Sequence, residues 1–121
     1  MGMDFELIKL IFDNLEYPLY LNDRSGKTLC ANDALLRLYH CDRDEFERLY
    51  ADVYHLKDDG VYASTIFERV LQQKEAVCDW SEVIIPRHKS SINLVSQSPI
   101  FDQDGNVKYV VGVNFPLEMI R

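Results

Sequence analysis

Apolar residues recur at Phe5, Ile8, Phe12 and Leu15, with Leu7 and Ile11 beside them. That is the period of an amphipathic helix with a wide apolar face. The spacing predicts a helix over 1–16, stopped by Pro18, which cannot continue it. Leu19 to Asn22 and Lys27 to Ala31 are short extended runs. The turn sequence Asp23-Arg24-Ser25-Gly26 between them makes a hairpin. Asn32 and Asp33 offer an N-cap to a helix carrying Ala34, Leu35, Leu38 and Tyr39. Asp42, with Glu45 three residues on, reads as a capping-box variant opening a second short helix through Phe46 and Leu49. Asp58-Asp59-Gly60 breaks the chain, and Ile66, Phe67, Val70 and Leu71 then define a third helix to about Lys74.

The last third changes character. Residues 76–86, 91–101 and 107–115 are β-rich, and Asp102 to Asn106 is a hairpin turn with Gly105 suited to a left-handed position. Pro86 and Pro99 must sit at strand ends or bulges. Two strands, a cluster of short helices and a three-stranded meander add up to an α+β layer architecture. Helices cover one face of a five-stranded antiparallel sheet, and the other face needs a partner.

Composition narrows the function classes. A net charge of −7, with Lys and Arg scattered, argues against nucleic acid and anionic lipid as direct partners. Cys30, Cys41 and Cys78 are far apart with no CxxC pair, so neither a disulfide frame nor a zinc site is signalled. No apolar run approaches the ~20 residues of a spanning helix, and the acidic start is unlike a signal peptide. A cytoplasmic location is the expectation. His40, His55 and His88 lie in separate segments, and no enzymatic constellation emerges, so a non-catalytic role is expected.

The stretch Leu21 to Asn32 resembles the opening hairpin of the PAS family, an acidic-to-Gly turn followed by a strand ending in Asn. Asn32-Asp33-Ala34 through Leu38, then Asp44-Glu45-Phe46, is similar to its first helical pair. Ser98-Pro99-Ile100-Phe101-Asp102-Gln103-Asp104-Gly105 and the Gly112-bearing strand resemble its closing Pro-Ile-x-Asp-x-x-Gly hairpin. His40 stands where many members have Gly before the second short helix, and Asn114-Phe115-Pro116 departs from the usual exit. Pro116 is expected to stop the last strand. The resemblance implies a sheet and helices enclosing a cavity, with a helix over 1–16, the sensor domain over 17–117 and the start of a linker to an effector at 118–121.

It also bears on cofactors. Haem-binding relatives supply an axial His from the long third helix, and 64–75 contains none. Light-oxygen-voltage relatives carry a reactive Cys on the intervening helix, and 47–60 has none. Covalent flavin and haem are disfavoured, and the cofactor, if any, is left open. Strand alternation puts Asn93, Val95 and Gln97 on one face, and Val110, Gly112 and Asn114 on one face of the last strand. By resemblance to flavin-binding relatives, Asn93 and Asn114 fall on cavity-facing positions. Amides there orient a ligand, or bond each other, backbone or water. Tyr20, Tyr54, Tyr62 and Trp80 either line the cavity or pack the core. Gly112 allows close approach of a side chain or helix.

The resulting expectation is a sensory input domain of a bacterial signalling protein. It binds a small ligand or partner and relays the change to an effector such as a transcription activator or histidine kinase. The alternative is a ligand-free dimerisation or docking module. A homodimer is expected through Phe5, Ile8, Phe12 and Leu15 of the first helix.

Overall fold

Two aspartates close the two tight hairpins in the same way. Asp23 Oδ1 accepts from the backbone N–H groups of Ser25 and Lys27 at 2.9 and 3.0 Å, and Gly26 takes a φ of 95°. Asp102 Oδ1 accepts from Asp104 and Asn106 at 2.9 and 3.0 Å, and Gly105 takes a φ of 83°. Each carboxylate gathers turn donors that would otherwise face only water, and each glycine supplies the left-handed step. The computed structural model describes residues 4–49, 65–84 and 91–117. The expected break at Asp58-Asp59-Gly60 and Pro86 lie outside them.

The elements are α1 (Phe5–Asp13), β1 (Leu19–Asp23), β2 (Thr28–Ala31), α2 (Asp33–Leu38), α3 (Arg43–Leu49), α4 (Thr65–Gln73), β3 (Val77–Ile84), β4 (Ser91–Phe101) and β5 (Val107–Pro116). The strands form one antiparallel sheet in the order β2-β1-β5-β4-β3, so the last strand of the chain is the central one. On its inner face α4 packs against β3, β4 and β5, and α2 against β1. Tyr20, Ala31, Leu35, Leu36, Phe46, Phe67, Val70, Val107 and Val110 form the buried core between these layers. On the outer face, the Phe5 ring of α1 meets Tyr109 edge-on at 6.4 Å, and Tyr17 meets Phe115 at 5.1 Å.

The caps follow the sequence closely. Asn32 Oδ1 accepts from Leu35 N–H at 3.0 Å, and Asp42 and Glu45 make the reciprocal capping box, at 2.8 and 3.4 Å. Pro99 lies inside β4 rather than at its end. It sits beyond the last β3 pairing partner, Gln97, and immediately before the register shift at Ile100, so no ladder bond is lost to β3. Strand β5 ends at Pro116, as expected, with this last residue opposite Asn93.

Helix α1 differs from expectation in two ways. It ends at Asp13, where the Asn14 side chain donates back to Leu10 C=O at 2.8 Å, so Leu15 is not on a helical stripe. Phe12, assigned by periodicity to an intermolecular face, is 9% exposed and turned into its own domain. The outward apolar surface is instead Phe5, Leu7, Leu10 and Ile11, with Leu15 beyond the helix and Leu10 at 61% exposure.

His40 occupies a left-handed position, with φ of 54°. Its N–H donates to Arg37 C=O at 3.1 Å and Cys41 N–H to Leu36 C=O at 3.2 Å, the paired bonds of a Schellman ending to α2. A side chain there crowds the backbone, which is why relatives of the expected family favour Gly. His40→Gly is therefore expected to stabilise the domain by about 1 kcal/mol, read as a higher urea midpoint at unchanged slope.

Candidate functional site

Every second residue of β4 from Asn93 to Gln97 is buried, and so are Val110, Gly112 and Asn114 of β5. The register sets Asn93 opposite Pro116, Val95 opposite Asn114, and Gln97 opposite Gly112. Strand β1 adds Tyr20 opposite Gly112 and Asn22 opposite Val110. These side chains form the floor, and Ile66, Phe67 and Val70 of α4, all buried, lie on the same side.

Tyr20 dominates the middle of this floor. A Cβ on Gly112 would fall within the Tyr20 ring, so the phenol lies directly across the glycine backbone. From there its hydroxyl reaches β4 and accepts from Gln97 Nε2 at 2.8 Å. Gly112 is thus required by close approach of a side chain.

The floor is unusually polar for a core. Asn22, Asn93, Gln97 and Asn114 are all fully buried. Thr28 Oγ1 donates to Asn22 Oδ1 at 2.8 Å. Among the described residues, Asn22 Nδ2, Gln97 Oε1 and both polar atoms of Asn114 have no hydrogen-bond partner. Each such buried group costs about 1–3 kcal/mol unless something meets it. A neutral-amide floor binds by complementary hydrogen bonding.

The remaining candidates fall elsewhere. Tyr62 and Tyr54 lie outside the described residues, as do His55 and His88. Trp80 is half-buried, with the Arg69 guanidinium 5.3 Å from its ring centroid. Among the described residues, no group of three His, Cys, Asp or Glu side chains could hold a metal ion, and no helix is long and apolar enough to cross a membrane. Burial pushes the Cys30 thiol above its ordinary value, and the nearby Asp13 carboxylate adds to the shift, so Cys30 is a poor nucleophile. Asn22 was missed from the sequence, although its place two residues after Tyr20 puts it on the same face.

No family model and no curated protein sequence matches the chain. Solved structures do. The Rhodobacter sphaeroides LOV protein is 20% identical with a TM-score of 0.74, over 95% of this chain and 69% of that one. The PAS domain of the fruit-fly ELK potassium channel is 13% identical with a TM-score of 0.68, over 96% and 98%. A domain of the Geobacter sulfurreducens sensory box sensor histidine kinase/response regulator is 19% identical with a TM-score of 0.65, over 92% and 92%. The chain folds as a PAS domain.

Within this PAS fold the inner face depends on one steric fit. Gly112→Ala is expected to cost about 1–3 kcal/mol by overpacking against Tyr20. Combining it with Tyr20→Ala relieves the clash, so the double variant is less destabilised than the two single losses added together. Denaturation of the four proteins measures that coupling, and strict additivity would place the Tyr20 ring elsewhere.

Proposed function

We propose that this PAS domain is a non-catalytic sensory input module that takes a small polar ligand against its inner sheet face and relays the change to an effector. The observation that carries the reading is the Asn114 amide. It is fully buried on the central strand, and neither its donor nor its acceptor is met by a described residue. A ligand that satisfies it offsets a cost otherwise borne by the folded state. Fold similarity to the Geobacter sensor histidine kinase domain supports a signalling host, and a histidine kinase or transcription activator is the effector class we assign.

Native mass spectrometry of freshly purified protein tests this reading. The expected result is a bound small molecule at near-stoichiometric level, lost in Asn114→Leu. That variant should still melt cooperatively, because leucine removes two unmet polar atoms while filling a similar volume. A wild-type protein with no bound molecule would count against the sensory reading.

The second reading, self-association, rests on the outward face of α1. Phe5, Leu7, Leu10 and Ile11 are exposed together on the outer side of the sheet. Burying such side chains is worth about 1.5–3 kcal/mol each, enough to outweigh much of the association cost when a second copy presents the same face. Sedimentation equilibrium should show a dimer that Leu7→Glu with Leu10→Glu converts to monomer. A dimer that survives both charges would place the interface away from α1.

A further inference from the structure

We propose that Tyr20 sets ligand size and position in this domain, confining the ligand to the Asn114 side of the sheet and selecting a one-ring lactam or cyclic urea. The inference rests on the ligand reading above and goes beyond it. The Tyr20 ring lies across Gly112 in the middle of the central strand and is held there by the 2.8 Å bond from Gln97 Nε2. That ring separates the Asn22 end of the floor, beside Val110, from the Asn114 end, beside Val95. Tyr20 itself packs in one buried cluster with Leu35 and Leu36 of α2, Phe67 and Val70 of α4, and Val107 and Val110 of β5. A planar molecule spanning β1 to β4 would have to occupy the volume of the phenol.

The chemical class follows from what Tyr20 leaves over. It takes one of the two Gln97 Nε2 donors and fixes the amide, leaving Oε1 as the Gln97 atom with no partner among the described residues. Asn114 presents both Nδ2 and Oδ1. A side-chain amide makes two parallel hydrogen bonds to an edge with an acceptor beside a donor, as in amide recognition of adenine. The C=O and N–H of a lactam or cyclic urea form such an edge, and a second N–H answers Gln97. A carboxylate or phosphate offers acceptors alone and would set anionic oxygens against Asn114 Oδ1 and Gln97 Oε1.

The test uses uracil as the one-ring probe and lumichrome as the three-ring probe, with succinate as the carboxylate control. Binding is measured calorimetrically, and for lumichrome also by fluorescence. Wild type is expected to bind uracil and to leave lumichrome and succinate unbound. Tyr20→Val, a side chain suited to a strand, should gain lumichrome affinity by at least about 30-fold, a difference of roughly 2 kcal/mol. Tyr20→Phe keeps the ring and should still exclude lumichrome, while uracil affinity falls several-fold as Gln97 is freed to turn. Lumichrome binding to wild type as tight as to Tyr20→Val overturns the size limit, and the wild-type measurement alone decides this if the valine variant does not fold. Succinate bound in preference to uracil overturns the lactam class, as does a charged molecule found by native mass spectrometry. Both of those outcomes leave the sensory reading standing. Wild type that carries no native ligand and binds none of the three probes removes the inference and the ligand reading together.

Discussion

A single buried amide, Asn32, fastens the N-terminal segment to the rest of the domain. Its Nδ2 donates to the carbonyls of Phe12, Leu15 and Tyr17 at 3.1, 3.3 and 2.7 Å. Its Oδ1 accepts from the N–H groups of Leu19 and Leu35, both at 3.0 Å. The end of α1, the start of β1 and the first turn of α2 therefore meet at one side chain that is fully buried. Aspartate would keep the acceptor and lose every donor bond. Alanine would take this partner from the Leu15 and Tyr17 carbonyls and the Leu19 and Leu35 N–H groups, while Phe12 C=O would keep the Leu15 N–H at 3.1 Å. The constraint is severe because carbonyls past a helix end have no intrahelical partner, and burying them unmet is costly.

That anchor also explains why α1 tolerates its exposed apolar surface. Phe12 and the Asn32 bonds hold its C-terminal end, and Phe5 touches Tyr109 near the other. A nine-residue helix is too short to persist on propensity alone, so attachment must come from these few contacts. The outward residues Leu7, Leu10 and Ile11 are left free to meet another surface without loosening the domain.

Local chemistry was the most legible part of the sequence. Both Asp-to-Gly turns, the Asn32 cap and the Asp42–Glu45 box lie within a few residues of chain, so residue identity and spacing define them. Strand alternation likewise placed Asn93, Val95, Gln97 and Asn114 on the inner face. The readings that needed correction depended on distant partners. Phe12 and Leu15 share a period with Phe5 and Ile8, and periodicity alone cannot say which side of a wide apolar helix meets its own sheet. The threefold donation from Asn32 was hidden because an N-cap explains the residue without any contact to α1. Proline at 99 reads as a strand end until the neighbouring strand is known to have ended.

Strand β1 joins the two halves of the design. Tyr20 points inward across Gly112, while the adjacent Leu19 N–H is held by Asn32 and the next residue, Leu21, is buried on the opposite side. The ring that limits the floor is thus one residue away from the bond that secures α1. Displacing the Tyr20 backbone toward or away from Gly112 without moving Leu19 would require a sharp change of direction between neighbouring strand residues. The ladder to Val111, Gly112 and Val113 resists such a change. A shift of the β1 backbone at Tyr20, unlike a rotation of its ring, would therefore reach Asn32 and the end of α1 as well. No long chain of intermediates is needed. The inner sheet face and the outward helix share a strand, and Asn32 ties that strand to the helix.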